Sequence, residues 1–388
     1  YIRNRWASDR QLEQGQPSAR GDFVHLYLNG DYWGQYHLHE RTNAAFMAST
    51  FGGDPEDYDV LNAGRPIDGN IDAWNALLES VDDGYEAVTQ YLDVVNYADY
   101  VLLQWFGGND IDWRVDSNWM AARKREDGAG WQFFVWDSDI IIRSKPDTDI
   151  VFIGGAGDLL TAKGGITQYP EFRELLAERA QRYFFDDGMF TPEAFRAGID
   201  ELAERYRPGI IPETARWGAG AYTPDTWEGA IQWVKDEYAP LDGQSRAETV
   251  IEQLRHAALF PLTDAPELKS SGEVVRGPNL EPGAELSMAT PLGKIYYTLD
   301  GTDPRSARPT VDFTEFVSED SNVQFFVPTD DSLQLNWTNH DFDADSWMTG
   351  LNGVGYDVEM EPFVAPFVQF DVEAQMKGTN ATAYIRIP

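Results

Sequence analysis

The sequence predicts an α+β domain with a helical second half, followed by all-β sandwich modules. Three features carry that prediction. Residues 23–40, FVHLYLNGDYWGQYHLHE, alternate in polarity on both sides of an Asn-Gly pair, the pattern of a two-residue hairpin. Residues 169–258 carry repeated 3.6-residue apolar periodicity with Thr and Pro start signals, the pattern of capped amphipathic helices. After Phe260 that periodicity gives way to PLTDAPELKSSGE, a run of breakers and turn formers.

In order along the chain, the hairpin with NGD as its turn comes first, and residues 43–51 read as a short helix. DAWNALLESV and the segment from Val88 to Phe106 place apolar residues at i, i+3 and i+4 and read as helices. WMAARKR (119–125) and the aromatic run from Trp131 read as two strands joined by EDGAG (126–130). YPEFRELLAERAQRYFF starts its helix with Pro170, and TPEAFRAGIDELAERY starts with a Thr cap and a first-turn Pro. TWEGAIQWVKDEYAPL and QSRAETVIEQLRHAA complete the helical half. Residues 266–310 read as short strands between turns.

The densest chemistry lies in WQFFVWDSDIIIR (131–143) and the segment before it. Asp137 and Asp139 are spaced i, i+2. If the strand continues through them, both carboxylates share one face. They then repel each other and resist desolvation, so a divalent cation is the natural compensation. If the strand ends at Trp136, the acids sit in a solvated turn and need nothing. Upstream, GGNDIDWRVDSNW (107–119) packs Asp110, Asp112, Asp116 and Asn118 into one short loop. The order is acidic loop, Asn, strand, turn, strand, acid pair. Phosphoryl transfer calls for a carboxylate to orient the attacking hydroxyl and for amide and acid oxygens to hold magnesium against phosphates. No HRD, DFG or VAIK string is present, nor a GxGxxG loop. GGAG at Gly154–Gly157 is the nearest approach to such a loop and reads as a flexible connection.

These segments resemble the spore-coat protein H (CotH) type of atypical protein kinase, found widely in bacteria. HLYLNGDYWGQYHLHERTNAAFM (25–47) matches the family's NGxYxGxYxLxE stretch. The likeness continues through YLDVVNYADYVLLQWFGGND, DIDWRVDSNW and FFVWDSD, and covers about residues 1–260. The resemblance implies a kinase-like fold and Mg²⁺- or Mn²⁺-dependent transfer of the ATP γ-phosphate to Ser or Thr of partner proteins. It implies Asp112 as catalytic base, Asn118 and Asp137 as metal and nucleotide ligands, and Asp139 beside them on the metal. Glu40 ends the NG stretch and is taken as a partner for a phosphate-binding base. The family carries strands before the NG motif. Here residue 1 is Tyr and the motif begins at Asn29, so the upstream strands are expected to be missing. The alternatives are a kinase-like cell-surface scaffold without catalysis and, at a distance, a carbohydrate-active enzyme with paired carboxylates.

Further on, GKIYYTLDGTDPRSA (293–307) resembles the small C-terminal β-sandwich of chitobiases and β-hexosaminidases, with Asp300, Gly301 and Asp303 read as a tight turn. NWTNHDFDADSWMTGLNGVGYDVE (336–359) resembles the opening of jelly-roll domains on bacterial surface proteins; its alternating acids raise calcium, but an EF-hand's Gly and distal Glu are lacking. The expected domains are 1–262, 263–312 and a partial third at 313–388. Contact with polysaccharide or cell surface through the β modules, and an extracellular or cell-surface location, follow as expectations.

The 388 residues carry 65 acids against 30 bases, a formal charge of −35. That balance argues against nucleic acid and anionic membranes as partners; it fits a saline or extracellular setting or a flexible, basic acceptor segment, and simple solubility accounts for it as well. No Cys is present, which excludes a disulfide scaffold and thiol catalysis. No apolar run has the length of a membrane span. His37 and His39 share a strand face; zinc would suit them, and so would ordinary hairpin packing.

Overall fold

The computed structural model describes residues 2–110, 112–114, 118–143, 146–151, 155–160, 165–218, 223–270, 272–275, 283–290, 292–300, 304, 321–356 and 368–387. Two compact units divide the chain, Tyr1–Ile295 and Tyr296–Pro388. Asp116, Gly154, Gly301 and Asp303 lie outside the described residues.

The first unit opens with a helix that the sequence reading did not find, α1 (Arg3–Glu13). Its composition is strongly polar, yet Arg5, Trp6, Ala7, Ser8 and Gln11 are buried. The reason is tertiary. Gln11 donates to Phe133 O (2.8 Å) and accepts from Val135 N (3.0 Å). A buried amide thus does the work of a neighbouring strand. Polar residues that satisfy an edge strand do not register as an apolar stripe.

The hairpin forms as expected. β1 (Gly21–Leu28) pairs antiparallel with β2 (Asp31–His39), and Asn29 and Gly30 take φ of 52° and 91°, as a two-residue primed turn requires. After α2 (Ala44–Phe51), capped by the Asn43 side chain, come β3 (Tyr58–Asn62) and β4 (Arg65–Asp68), then α3 (Asp72–Ser80). The expected helix from Val88 to Phe106 is two: α4 (Tyr85–Thr89) and α5 (Val94–Gly107). Between them the backbone turns to meet Trp131, with Asp93 N donating to Trp131 O (3.0 Å) and Trp131 N to Tyr91 O (2.6 Å). Asp93 then caps α5 by accepting from Asn96 N. These competing bonds break a periodicity that reads as continuous.

β5 (Trp119–Lys124) and β6 (Gln132–Val135) pair antiparallel, with Trp119 opposite Val135. They complete a four-stranded antiparallel sheet in the order β4-β3-β5-β6. One face meets α2 through Phe46 and Phe134, ring centroids 6.2 Å apart. The other face belongs to the main core, where Trp74, Tyr97, Tyr100, Trp119, Trp131 and Phe133 are all at most 4% exposed. α5 is buried along most of its length and forms the spine of that core.

The helical half consists of α6 (Pro170–Phe184), α7 (Pro192–Trp217), α8 (Pro224–Tyr238) and α9 (Arg246–His256). α7 runs well past the Tyr206 expected from its pattern, through Pro208 and Pro212. Proline costs a helix interior about 3 kcal/mol, so other contacts must hold the extension. The hairpin supplies them: Gln35 N donates to Glu213 Oε2 (2.6 Å), Gln35 Nε2 to Tyr206 O (3.3 Å) and Trp217 Nε1 to Trp33 O (2.5 Å). A small three-stranded sheet, β8-β7-β9, follows from β7 (Glu267–Ser270), β8 (Glu273–Val274) and β9 (Leu286–Ala289).

The second unit contains β10 (Asn322–Phe326) between β11 (Met348–Leu351) and β14 (Tyr384–Arg386). A short parallel pair, β12 (Val354–Gly355) with β13 (Phe370–Asp371), and the single turn α10 (Glu373–Met376) accompany it. Val323, Phe325, Val327 and Val372 are its small core.

Candidate functional site

The site grows from the C-terminal end of α5. Gly108 ends the helix in the left-handed region (φ 63°), and its N–H and that of Asn109 turn back to Trp105 O and Gln104 O. This is the αL stop that glycine allows at least cost. Asn109, 1% exposed, donates to Gln104 Oε1 (2.8 Å) and accepts from Asp112 N (2.9 Å). A buried amide therefore fixes where Asp112 begins. Asn109 went unremarked among the expected site residues; its place directly after a Gly-Gly stop is the signal that could have found it.

Asp112 is buried, and Asn118 hydrogen-bonds its carboxylate. Burial pushes the Asp112 carboxyl above its ordinary range, the Asn118 bond opposes that rise, and the charges of Asp137 and Asp139 add to it. Arg143 pulls weakly the other way. The four expected residues Asp112, Asn118, Asp137 and Asp139 are thus brought within electrostatic reach of one another. Asp110 is half-buried close by, and its Oδ1 has no hydrogen-bond partner.

Of the two readings of this stretch, the strand that continues through the acids is overturned and the one that ends at Trp136 holds to within a residue. β6 ends at Val135, and Asp137 and Asp139 lie in the following loop, both exposed, with Ser138 buried between them. The two acids still share a side, but through a loop conformation. Asp137 (φ 52°) and Asn118 (φ 34°) both occupy the left-handed region, as does Ile142 (φ 53°). Asn and Asp tolerate it; for a β-branched Ile it is a true outlier. Ile142 is held there by its N–H bond to Gly107 O (2.7 Å) and by burial to 1% exposure. Strain of this kind concentrates at functional sites.

Two distant elements clamp the acidic loops. From α1, Asn4 Oδ1 accepts from Ser138 N (3.0 Å) and Arg3 Nη1 donates to Asp139 O (3.0 Å). From α9, the fully buried Arg246 donates to Trp105 O and Phe106 O ahead of the first loop and to Pro146 O and Thr148 O behind the second. Burial lowers its pKa to about 10, and its bonds to carbonyls replace the missing carboxylate.

Glu40 is not brought to this set by any described contact. Its Oε2 accepts from Arg20 N (2.9 Å), which closes the hairpin. The nearest link is indirect: the rings of His39 and Trp136 lie 6.0 Å apart. His37 stacks on His39 at 4.9 Å and packs on Phe23 at 5.3 Å. Among the described residues no three His, Asp or Glu side chains gather to hold a metal, at the hairpin, in the 341–347 loop or at the acidic set. Magnesium held with a nucleotide needs only one or two protein oxygens, the rest being water and phosphate. Asn118, Asp137 and Asp139 carry oxygens of the hard type that such an ion takes.

The family model described as CotH kinase protein matches residues 1–240, so the chain belongs to the CotH kinase family. A comparison with curated proteins finds no match. No described helix is long and apolar enough to cross a membrane.

Proposed function

We propose that the chain is an atypical protein kinase that transfers the γ-phosphate of ATP to Ser or Thr of a partner protein. The observation that carries this reading is Asp112: a buried carboxylate with no ion pair among the described residues, bonded to Asn118 and within electrostatic reach of Asp137 and Asp139. A group so placed has raised proton affinity, as a base that accepts a hydroxyl proton needs. In this reading Asp112 orients the acceptor hydroxyl and takes its proton as the oxygen bonds to phosphorus and ADP leaves. Asn118 and Asp137, with Asp139 beside them, hold the divalent ion, which neutralises charge on the phosphates. Arg246 and Asn109 keep the two loops in register. Glu40 is given no part in the transfer. The acceptor is a flexible, basic segment, since a chain of charge −35 attracts cationic partners.

The test is intact-mass detection of phosphate transfer, to the chain itself or to a basic Ser peptide, with Mg·ATP. Wild type should transfer. Asp112→Asn should bind Mg·ATP but fail to transfer, and Asp137→Asn should lose both. Binding without transfer in the wild type would favour the non-catalytic scaffold instead.

A further inference from the structure

α1 reaches both β6 and the loop that follows it, and it does so with one face. Asn4 and Gln11 are seven residues apart, about two turns of helix, and so lie on the same side. Each offers its amide oxygen to a backbone N–H: Gln11 Oε1 accepts from Val135 N (3.0 Å) and Asn4 Oδ1 from Ser138 N (3.0 Å). The spacings agree. Seven helical residues rise about 10.5 Å, and three extended residues span about 10 Å. The two amides therefore stand in for a neighbouring strand. They carry its register past the end of β6 and into the loop that bears Asp137 and Asp139.

That loop has little else to hold it. Among the described residues, the backbone of residues 136–141 is bonded only by Asn4 and by Arg3, from the same turn of α1, whose Nη1 donates to Asp139 O (3.0 Å). Ser138 is 1% exposed, and its Oγ has no hydrogen-bond partner among the described residues, so its side chain does not fix the turn. Asp137 sits at φ 52°, a conformation that persists where the surroundings over-determine it. α1 is itself anchored away from the acids. Trp6 is fully buried against Phe106 and Phe195, with ring centroids 5.9 and 5.6 Å away, and Gln14 donates to Asp99 O (3.0 Å) at the far end of the helix. The core sets the helix, and the first turn of the helix sets the loop.

We propose that Asn4 is a positioning residue for the transfer: it holds the backbone between Asp137 and Asp139 so that both carboxylates are in place beside Asp112 before metal and nucleotide arrive. Arg3 assists through Asp139 O. Groups that orient metal ligands from outside the ligand set matter nearly as much as the ligands. The inference rests on the kinase reading for what the loop holds.

The experiment is calorimetric binding of Mn²⁺·ATP to the wild-type chain and three variants, with hydrogen exchange at the Ser138 amide read alongside. Asn4→Ala removes the acceptor and should weaken binding about 10–100-fold, the usual loss when such an outer support is removed. Asn4→Asp keeps an acceptor of the same shape for Ser138 N and should bind close to wild type. Gln14→Ala loosens the far end of the same helix. It should lower the melting temperature and leave the affinity unchanged, a separation that a merely structural Asn4 would not show. Ser138 exchange should be slow in the wild type with and without Mn²⁺·ATP, because the bond to Asn4 is present in the free chain. Equal binding by wild type and Asn4→Ala would overturn the positioning role and leave the kinase standing, as would equal losses in Asn4→Ala and Gln14→Ala. Fast Ser138 exchange in the free wild type would overturn it too, whether or not Asn4→Ala folds. A wild type that binds no Mn²⁺·ATP would sink the kinase reading and this inference together.

Discussion

Asp99 and Asp112 lie at opposite ends of the same stretch of chain, and both are buried, but the fold treats them in opposite ways. Asp99, on α5, is completely enclosed, and Arg179 grips both its oxygens at 2.6 and 2.8 Å while Gln16 adds a third bond at 2.6 Å. Asp112 has an amide partner and two neighbouring acids, with Arg143 as a minor opposing charge and no ion pair among the described residues. The first arrangement satisfies a charge in order to join α1, α5 and α6. The second leaves a charge poorly satisfied, as the proposed role of a base requires. Burial alone does not separate structural from functional acids; the sign of what surrounds them does.

The largest effect should come from breaking the satisfied pair. Asp99→Ala leaves the Arg179 guanidinium buried without its carboxylate, and such a loss costs about 3–5 kcal/mol. Chemical denaturation should show the first unit destabilised by that order. A loss under about 1 kcal/mol would mean that the pair behaves like a surface bridge, and the contrast drawn above would fail.

Asp112→Asn should act the other way on stability while lowering transfer by about 10²–10⁴-fold, the range of a lost general base. The sign follows from the raised carboxyl. A group whose proton affinity is higher folded than unfolded favours the folded state at low pH, and that benefit disappears as pH rises through the folded value. The wild type should therefore melt below Asp112→Asn at neutral pH, with the gap closing toward pH 4. A variant that melts lower at every pH would assign Asp112 to the scaffold instead.

The same contrast explains what was legible in the sequence. Local pattern marks two short acidic motifs, with Asp110, Asp112, Asp116 and Asn118 in one and Asp137 and Asp139 in the other, and the family resemblance singles out Asp112, Asn118, Asp137 and Asp139 among them. The hairpin, α2, α3, α6, α8 and α9 were legible for similar reasons: an Asn-Gly turn, a proline at a helix start, a regular apolar stripe. What the pattern hid depends on partners far away in sequence. α1 is polar because Gln11 serves β6 from 124 residues away. Strand β3 gives no local sign because its long pairing is with β5, more than fifty residues on, while the short β4 pairs with β3 alone. The continuation of α7 through two prolines requires Gln35, and the strand expected through Asp137 stops because Asn4 and Arg3 take the backbone of the next residues. Arg246 gives no local sign that it caps α5 and ties both acidic loops.

His37 offers a third way to bury an ionisable group, and the smallest of the three effects. Burial dominates its titration: with the like charges of His39 and Arg5 it lowers the pKa from 6.5 to about 4 against a weaker pull from Asp22, and its Nε2 has no hydrogen-bond partner among the described residues. The imidazole is thus held neutral against Phe23 and His39. Since the folded value lies below the unfolded one, its contribution is present above pH 6.5 and is lost as pH falls toward 4, because the unfolded chain binds the proton first. Between pH 6.5 and 5, before most carboxylates titrate, stability should fall by no more than about 1 kcal/mol per pH unit, solvent screening included. His37→Phe keeps the ring stack without a titrating nitrogen and should flatten that slope. An equal slope in wild type and variant would show that His37 gains its proton freely in the folded hairpin, leaving ring packing as its entire role.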